Sequence, residues 1–298
     1  IYGSILLTKD LMDFWIGPQT CDKQTKIWEL INENFLPVQL VDAPHKTREH
    51  DLEKMRNEFD LLFEKLVNLT GFRPSDDDLR DSVIMSNEIR EKWWKVYELL
   101  KNKVIPIHAS TIINLLNYGM FDWFSDPQFL KRLLNGLHDE MVEKIDRGDS
   151  IVDDKAPRIL IAGNGTMEPQ LPDIIESLGG VIIAVTMRHE WIYPQVDLNV
   201  RGDIRNNISK HQLEIYHSWR TEPRLRFAKK LIKDFKIDGV IYNSCWGCRR
   251  FSPAARLYRD DLQGELGVPV LLNDFYMFGE HLDQLKTRVG AFIELLTG

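Results

Sequence analysis

The stretch Asp238-Gly-Val-Ile-Tyr-Asn243-Ser-Cys245-Trp-Gly-Cys248-Arg249 governs the reading of this chain. Val240, Ile241 and Tyr242 are β-branched or aromatic and uninterrupted by polar residues, as in a strand buried on both faces of a parallel sheet. The run leads into a turn bearing two of the chain's three cysteines, and an amphipathic helix is expected over 252–266. Open α/β sheets bind ligands beyond the carboxyl ends of their strands. A thiol pair there points to a metal or redox site.

Working outward, short apolar runs at 159–162, 181–185, 240–242 and 270–272 alternate with helical patterns near 171–178, 221–235, 252–266 and 281–296. Strands interleaved with helices in this way build a parallel sheet covered on both faces. A second βαβ unit stands near the start: strand 14–17, a turn and helix over 20–34, then strand 38–41 ended by Ala43-Pro44. Between the two lies a helical block. Leu52, Met55, Phe59, Leu62, Phe63 and Leu66 share one helical face closing at Gly71, and Ser75-x-x-Asp78 is a capping box for a second helix. Further helices are expected at 112–118 and 127–145, and the polar run 147–157 divides this block from the strand at 159–162. The fold class is therefore α/β: two Rossmann-like (flavodoxin-like) parallel-sheet domains with an inserted helical layer. Residues 1–48 are the remainder of the N-terminal α/β domain, 49–150 the helical layer and 151–298 the C-terminal α/β domain. The opening Ile1-Tyr-Gly-Ser-Ile-Leu-Leu lacks Met, so further sequence is expected upstream.

Composition narrows the function classes. The 298 residues are 43% hydrophobic, enough for a large core, and the formal net charge of −7 comes from interspersed charges with no basic run. Nucleic acid is thus not an expected partner. No apolar stretch approaches the ~18 residues of a membrane span, and no secretory segment opens the chain, so a cytoplasmic protein without membrane attachment is expected. Three cysteines do not make a disulfide framework, which favours metal ligation or thiol chemistry.

Cys245-x-x-Cys248 by itself serves zinc, iron–sulfur clusters, redox pairs or plain packing. Zinc calls for more ligands than Cys21 alone can add, and a thioredoxin-like pair belongs early in its fold. Cys21 likewise follows a strand and precedes a helix, so both thiol sites lie at the carboxyl ends of their sheets, where one cleft could share one cluster. Other candidates carry less. Gly163-Asn-Gly165 suits a tight turn better than a phosphate cradle, His189-Glu190 sits in a Trp- and Pro-rich loop with no assigned role, and Ser110 beside His108 is expected to cap a helix. Arg249, Arg250 and Arg288 could meet phosphates or offset thiolate charge.

Three segments resemble the 2-hydroxyacyl-CoA dehydratase / benzoyl-CoA reductase family: Phe14-Trp-Ile-Gly-Pro-Gln-Thr-Cys21-Asp22-Lys23; Trp246-Gly-Cys248-Arg249 with Gly267-Val-Pro269; and Gln284-Leu-Lys-Thr287-Arg288-Val-Gly-Ala291-Phe292. Arg224 and Arg158-Ile-Leu-Ile-Ala-Gly163 also fit. The resemblance implies an iron–sulfur cluster, [4Fe-4S] in its usual form, held by three cysteines per subunit. Cys21 resembles the second of these and Cys248 the third, with the first expected upstream of Ile1. It implies an oligomer with a homologous subunit or with itself, and a CoA thioester substrate that Arg249 and Arg288 would meet. It also implies a separate ATP-hydrolysing iron–sulfur activator that delivers one low-potential electron. A 2-hydroxyacyl thioester then loses water through a ketyl radical, which makes a scarcely acidic β hydrogen removable; the chemistry requires anaerobic conditions. Benzoyl-CoA reductases share the fold and reduce an aromatic ring, and double-cubane-cluster proteins pass electrons to small molecules. A noncatalytic electron-carrying scaffold is a further alternative. Two residues depart from the pattern. Cys245 is an additional thiol, which a larger cluster could use as a ligand, and Gly290 stands where Glu is common.

Overall fold

The computed structural model describes residues 7–298 except 20, 45, 165–167, 187–191, 193–197, 218–220 and 276–280. The chain divides into two units: residues 1–83 with 198–220, and residues 84–197 with 221–298. Both sheets are wholly parallel and the molecule is mixed α/β, as the alternation of strands and helices predicts.

In the first unit, β1 (Trp15–Pro18) and β2 (Val38–Val41) pair with Trp15 opposite Val38, joined by α1 (Asp22–Asn34). Gly17 is required at this joint, because a Cβ there would lie 2.9 Å from both the Trp28 ring and the Val38 side chain. Trp28, Ile31 and Leu36 form the small core beneath. The long helix α2 (Glu49–Thr70) ends at Gly71, whose φ of 70° supplies the left-handed C-cap. The capping box opening α3 (Asp76–Leu99) forms as the sequence predicts: Asp78 accepts from the Ser75 backbone at 2.7 Å, and the Ser75 hydroxyl takes the Asp78 N–H at 3.1 Å. The chain division falls inside α3, between Val83 and Ile84.

In the second unit, α4 (Ala109–Ser125) and α5 (Pro127–Arg147) precede a four-stranded sheet made of β3 (Arg158–Gly163), β4 (Val181–Val185), β5 (Gly239–Cys245) and β6 (Val270–Phe275). Its strand order is β4-β3-β5-β6. Side chains alternate between faces. Leu160, Ala162, Val240 and Tyr242 join a large core with α8 (Thr221–Asp234) and α9 (Ala254–Leu266). Ile159, Ile161 and Ile241 join a second core with α6 (Leu171–Ser177) and α10 (Leu282–Thr297). Helices therefore cover both faces, which accounts for the continuous apolar character of the strands.

Three local expectations change. The N-terminus of α4 is capped not by Ser110, which lies inside the helix, but by Glu176 of α6: one carboxylate oxygen accepts the Ala109 N–H at 2.7 Å, and the other meets His108 Nδ1 at 2.7 Å. With two separate acceptor oxygens, the carboxylate takes the backbone N–H on one and meets the imidazole on the other. A helix between the strands, α7 (Ile204–His217), was not anticipated, although Asp203 signals it by accepting the Asn206 N–H at 3.0 Å. That hydrogen bond is the chief cause holding the Asp203 carboxyl below its usual range. Finally, β5 runs three residues beyond Tyr242, so Cys245 is the last strand residue and only Cys248 lies on the turn proper.

Candidate functional site

The order β4-β3-β5-β6 places a topological switch between β3 and β5: after β3 the chain steps to one side for β4, then crosses to the other for β5. At such a point the loops leaving the two strands diverge and open a crevice. The carboxyl end of β3 is Gly163-Asn164 and that of β5 is Cys245.

These ends are bound tightly together. Gly163 has φ 76°, and a Cβ on it would fall 2.1 Å from the Asn243 carbonyl oxygen, so only glycine fits. That closeness lets the buried Asn164 donate its backbone N–H to Asn243 O at 2.7 Å while its side-chain oxygen accepts the Cys245 N–H at 2.9 Å. Next to it, Asn273 of β6 donates to the Asn243 side chain at 3.0 Å, and Ser244 donates to Asp274. A row of buried polar side chains thus fixes the last residues of β5.

Beyond Cys245 the chain makes a turn closed by Cys248 N–H to Cys245 O at 2.9 Å, with Gly247 supplying φ 73° at its third position. Ser252 secures the far side, its hydroxyl donating to Cys245 O at 3.0 Å and its N–H to Cys248 O at 3.0 Å. Trp246 donates its N–H to Phe275 O at 2.8 Å, and its indole, 61% exposed, stands outward. Both thiols are partly exposed.

Under the turn lies a buried cation. Arg224, from α8, is 4% exposed, and its guanidinium carbon sits 4.3 Å from the centre of the Phe251 ring. The Tyr242 hydroxyl donates to Phe251 O at 2.9 Å. Burial pushes the Tyr242 phenol up to about 12; the charge and hydrogen bond of Arg224 oppose this, and charge at Cys248 adds to it.

A cavity of about 80 Å³ opens beside the end of β6, lined by Glu168, Asn273, Asp274, Phe275, His281, Gln284, Leu285 and Arg288. Arg288 donates to Leu272 O and faces this space. Neither thiol lines the cavity, but Phe275 joins it to the turn by accepting from Trp246. Arg249 is exposed just after Cys248, apart from the cavity wall. In the first unit Cys21 is exposed at the N-cap of α1, with Thr25 N–H donating to its carbonyl at 3.0 Å. That position favours negative charge.

The donor chemistry fits an iron–sulfur group: soft thiols near strand ends, with Cys245 closing β5 and Cys248 on the clamped turn that follows. The donor number in either unit alone does not suffice. Among the described residues no group of three His, Cys, Asp or Glu side chains is gathered for a metal ion. His189, Glu190 and Gly165 lie outside the described residues. Asn164, Arg224 and Tyr242 emerge as site residues with roles the sequence left unassigned.

No helix among the described residues is long and apolar enough to cross a membrane. A family model described as "2-hydroxyglutaryl-CoA dehydratase, D-component" matches residues 1–296. The chain is 24% identical over 289 residues to the "Putative dehydratase subunit YjiM" of Escherichia coli (strain K12), covering 95% of this chain and 74% of that protein. It is 20% identical over 303 residues to the alpha subunit of (R)-2-hydroxyglutaryl-CoA dehydratase of Acidaminococcus fermentans, covering 93% of this chain and 58% of that one.

Proposed function

Since the chain belongs to the 2-hydroxyglutaryl-CoA dehydratase D-component family, we propose that it is the iron–sulfur subunit of an oxygen-sensitive 2-hydroxyacyl-CoA dehydratase. The enzyme removes water from a 2-hydroxyacyl-CoA to give an enoyl-CoA, and the electron comes from a separate ATP-dependent activator. The observation that carries this reading is the family match along essentially the whole chain. The clamped thiol turn at a sheet switch point supports it.

Cys21 and Cys248 are the proposed ligands. When bound, the cluster supplies one low-potential electron to the thioester, the step that general acid–base chemistry cannot replace for a β hydrogen of such weak acidity. The chain's own residues do the rest. The Asn164 side chain holds Cys245, and Ser252 holds both Cys245 O through its hydroxyl and Cys248 O through its N–H, so the backbone bearing the two thiols is fixed. Arg288, anchored on Leu272 O, turns cationic hydrogen-bond donors toward the cavity, where an acyl carbonyl or a CoA phosphate could accept them. A second homologous subunit completes the assembly.

Cys245 favours a second reading. A third thiol, three residues from a proposed ligand, could support a larger cluster and a reductase activity of the benzoyl-CoA or double-cubane kind. Iron and acid-labile sulfide analysis with electron paramagnetic resonance on anaerobically purified protein separates these readings by cluster size. Cys21→Ser and Cys248→Ser are each expected to bleach the visible iron–sulfur absorption, a hydroxyl being a poor replacement for thiolate. Full iron in both variants refutes the ligand assignment, and unchanged nuclearity in Cys245→Ser removes the second reading.

A further inference from the structure

We propose that a cavity at the amino ends of β3, β4 and β5, on the opposite edge of the sheet from the thiol turn, binds the phosphate group of a small phosphorylated molecule through Lys103, Lys155 and Lys236. The site needs no metal and no thiol, so it stands apart from the dehydratase reading.

The cavity holds about 310 Å³, at the lower end of the volumes that take small ligands. Its wall is made of the first residues of β3 and β4, Arg158 and Val181, and of three loops: the one after α3, the one before β3 and the one joining α8 to β5. All belong to the second unit. Five lining side chains are cationic and three acidic, in a chain whose net charge is −7. The charge here runs against that of the whole molecule. Apolar Ile105, Val152 and Ala156 share the wall, and a cationic cleft with low-dielectric walls concentrates its field on an entering anion.

The cations are held without being neutralised. Half-buried Arg158 donates its guanidinium to Phe235 O at 2.9 Å and to Asn102 O at 3.2 Å, just past the ends of α8 and α3. These acceptors are uncharged, so the tie fixes the group and leaves its charge in the wall. Two of the three acids are bound to backbone: Asp238 accepts the Arg158 N–H at 2.8 Å, and Asp153 the Lys155 N–H at 2.9 Å. Lys236 gives the clearest sign. It has φ 51° where α8 ends, and Ile237 N–H reaches back to Ile232 O at 3.0 Å, a helix ending that glycine usually occupies. A lysine is strained there, and packing does not account for it, because Lys236 is exposed. Among the described residues neither Lys103 nor Lys236 forms an ion pair. A phosphate supplies the missing counter-charge, its several acceptor oxygens meeting lysines as point charges, while the apolar wall takes the uncharged body of the molecule.

The test titrates the full chain with inorganic phosphate and with pyrophosphate by isothermal calorimetry, at ionic strength held constant with chloride. Saturable binding is expected, tighter for pyrophosphate because it carries more charge to the same lysines. Lys236→Gly should weaken pyrophosphate binding roughly tenfold, the loss of one charge-assisted hydrogen bond. It should melt no lower than wild type, since glycine adopts that φ freely. Lys103→Gln should weaken binding similarly, whereas Lys233→Gln, an exposed cation in the last turn of α8 outside the cavity, should leave it unchanged. Absence of saturable binding to wild type overturns the proposal, as does a well-folded Lys236→Gly protein that binds as wild type does. Equal weakening in Lys233→Gln would reduce the effect to net charge and overturn it too. Capture of polyglutamate with no response to either phosphate would make the surface a docking site for an acidic protein and likewise overturn it.

Discussion

Replacing Gly163 by Ala should be among the most damaging single changes at the switch point, far out of proportion to one methyl group. The residue sits at φ 76°, where an L side chain costs about 1–2 kcal/mol. Its new Cβ would fall 2.1 Å from Asn243 O, a backbone atom of the neighbouring strand, so no side-chain rotation can relieve the clash. The strand ends must part. Parting them breaks the 2.7 Å bond from Asn164 N–H to Asn243 O and the 2.9 Å bond from Cys245 N–H to the Asn164 side chain, at about 1 kcal/mol each. The expected loss is roughly 3–4 kcal/mol, and at about 2–4 °C per kcal/mol for a domain of this size the melting temperature should fall by roughly 6–16 °C. Gly247→Ala is the matched control. Gly247 has a similar φ of 73° but nothing within 4 Å of the added Cβ, so only the conformational cost of about 1–2 kcal/mol applies. Thermal melts by circular dichroism on both variants test this. Equal losses, or a Gly163→Ala protein within about 2 °C of wild type, would refute the claim that close strand approach fixes the thiol turn.

The same geometry has other consequences. Asn164→Ala leaves the Cys245 N–H without its partner and should destabilise by about 1–3 kcal/mol while raising the alkylation rate of Cys245; unchanged labelling would show that the amide does not hold the thiol. For Tyr242 the sign is set by a folded-state pKa raised from the usual 10.0 to about 12. The folded state keeps a proton that the unfolded state gives up, so this stabilisation is complete below pH 10.0 and is lost as pH rises toward 12, by roughly 2–3 kcal/mol. Urea titrations between those pH values should show a steeper fall for wild type than for Tyr242→Phe, and parallel curves would contradict the burial argument. The sequence carries no Gly-x-x-x-x-Gly-Lys-Ser/Thr loop, so the purified chain should not hydrolyse ATP; robust turnover would place the activator's chemistry on the wrong polypeptide.

The legible features were those coded by neighbours in sequence. Val181–Val185 and Val38–Val41 stand as strands because their apolar runs are bounded by polar or turn residues, and the Ser75–Asp78 box lies within a few residues of itself. Cys21 and Cys248 could be placed at strand ends for the same reason. What sequence did not disclose depends on sheet order. Asn164 meets Cys245 across 81 residues, only because β3 and β5 are neighbours. Glu176 replaced Ser110 as the cap of α4 across 67 residues. Arg224 entered the sequence reading only through the family resemblance; its burial, with the guanidinium over the Phe251 ring, comes from a contact 27 residues away in sequence. The length of β5 was underestimated because Asn243 and Ser244 look like turn residues, yet both are buried in the polar row that links β3, β5 and β6.

The dehydratase reading is tested most directly by one assay. The anaerobic protein with its partner subunit is given activator, ATP and a strong reductant, then offered a 2-hydroxyacyl-CoA and benzoyl-CoA side by side. The account predicts enoyl-CoA formation that stops when reductant or ATP is withheld, with the aromatic thioester untouched. Conversion of benzoyl-CoA alone, or water elimination that proceeds without any electron donor, would contradict it.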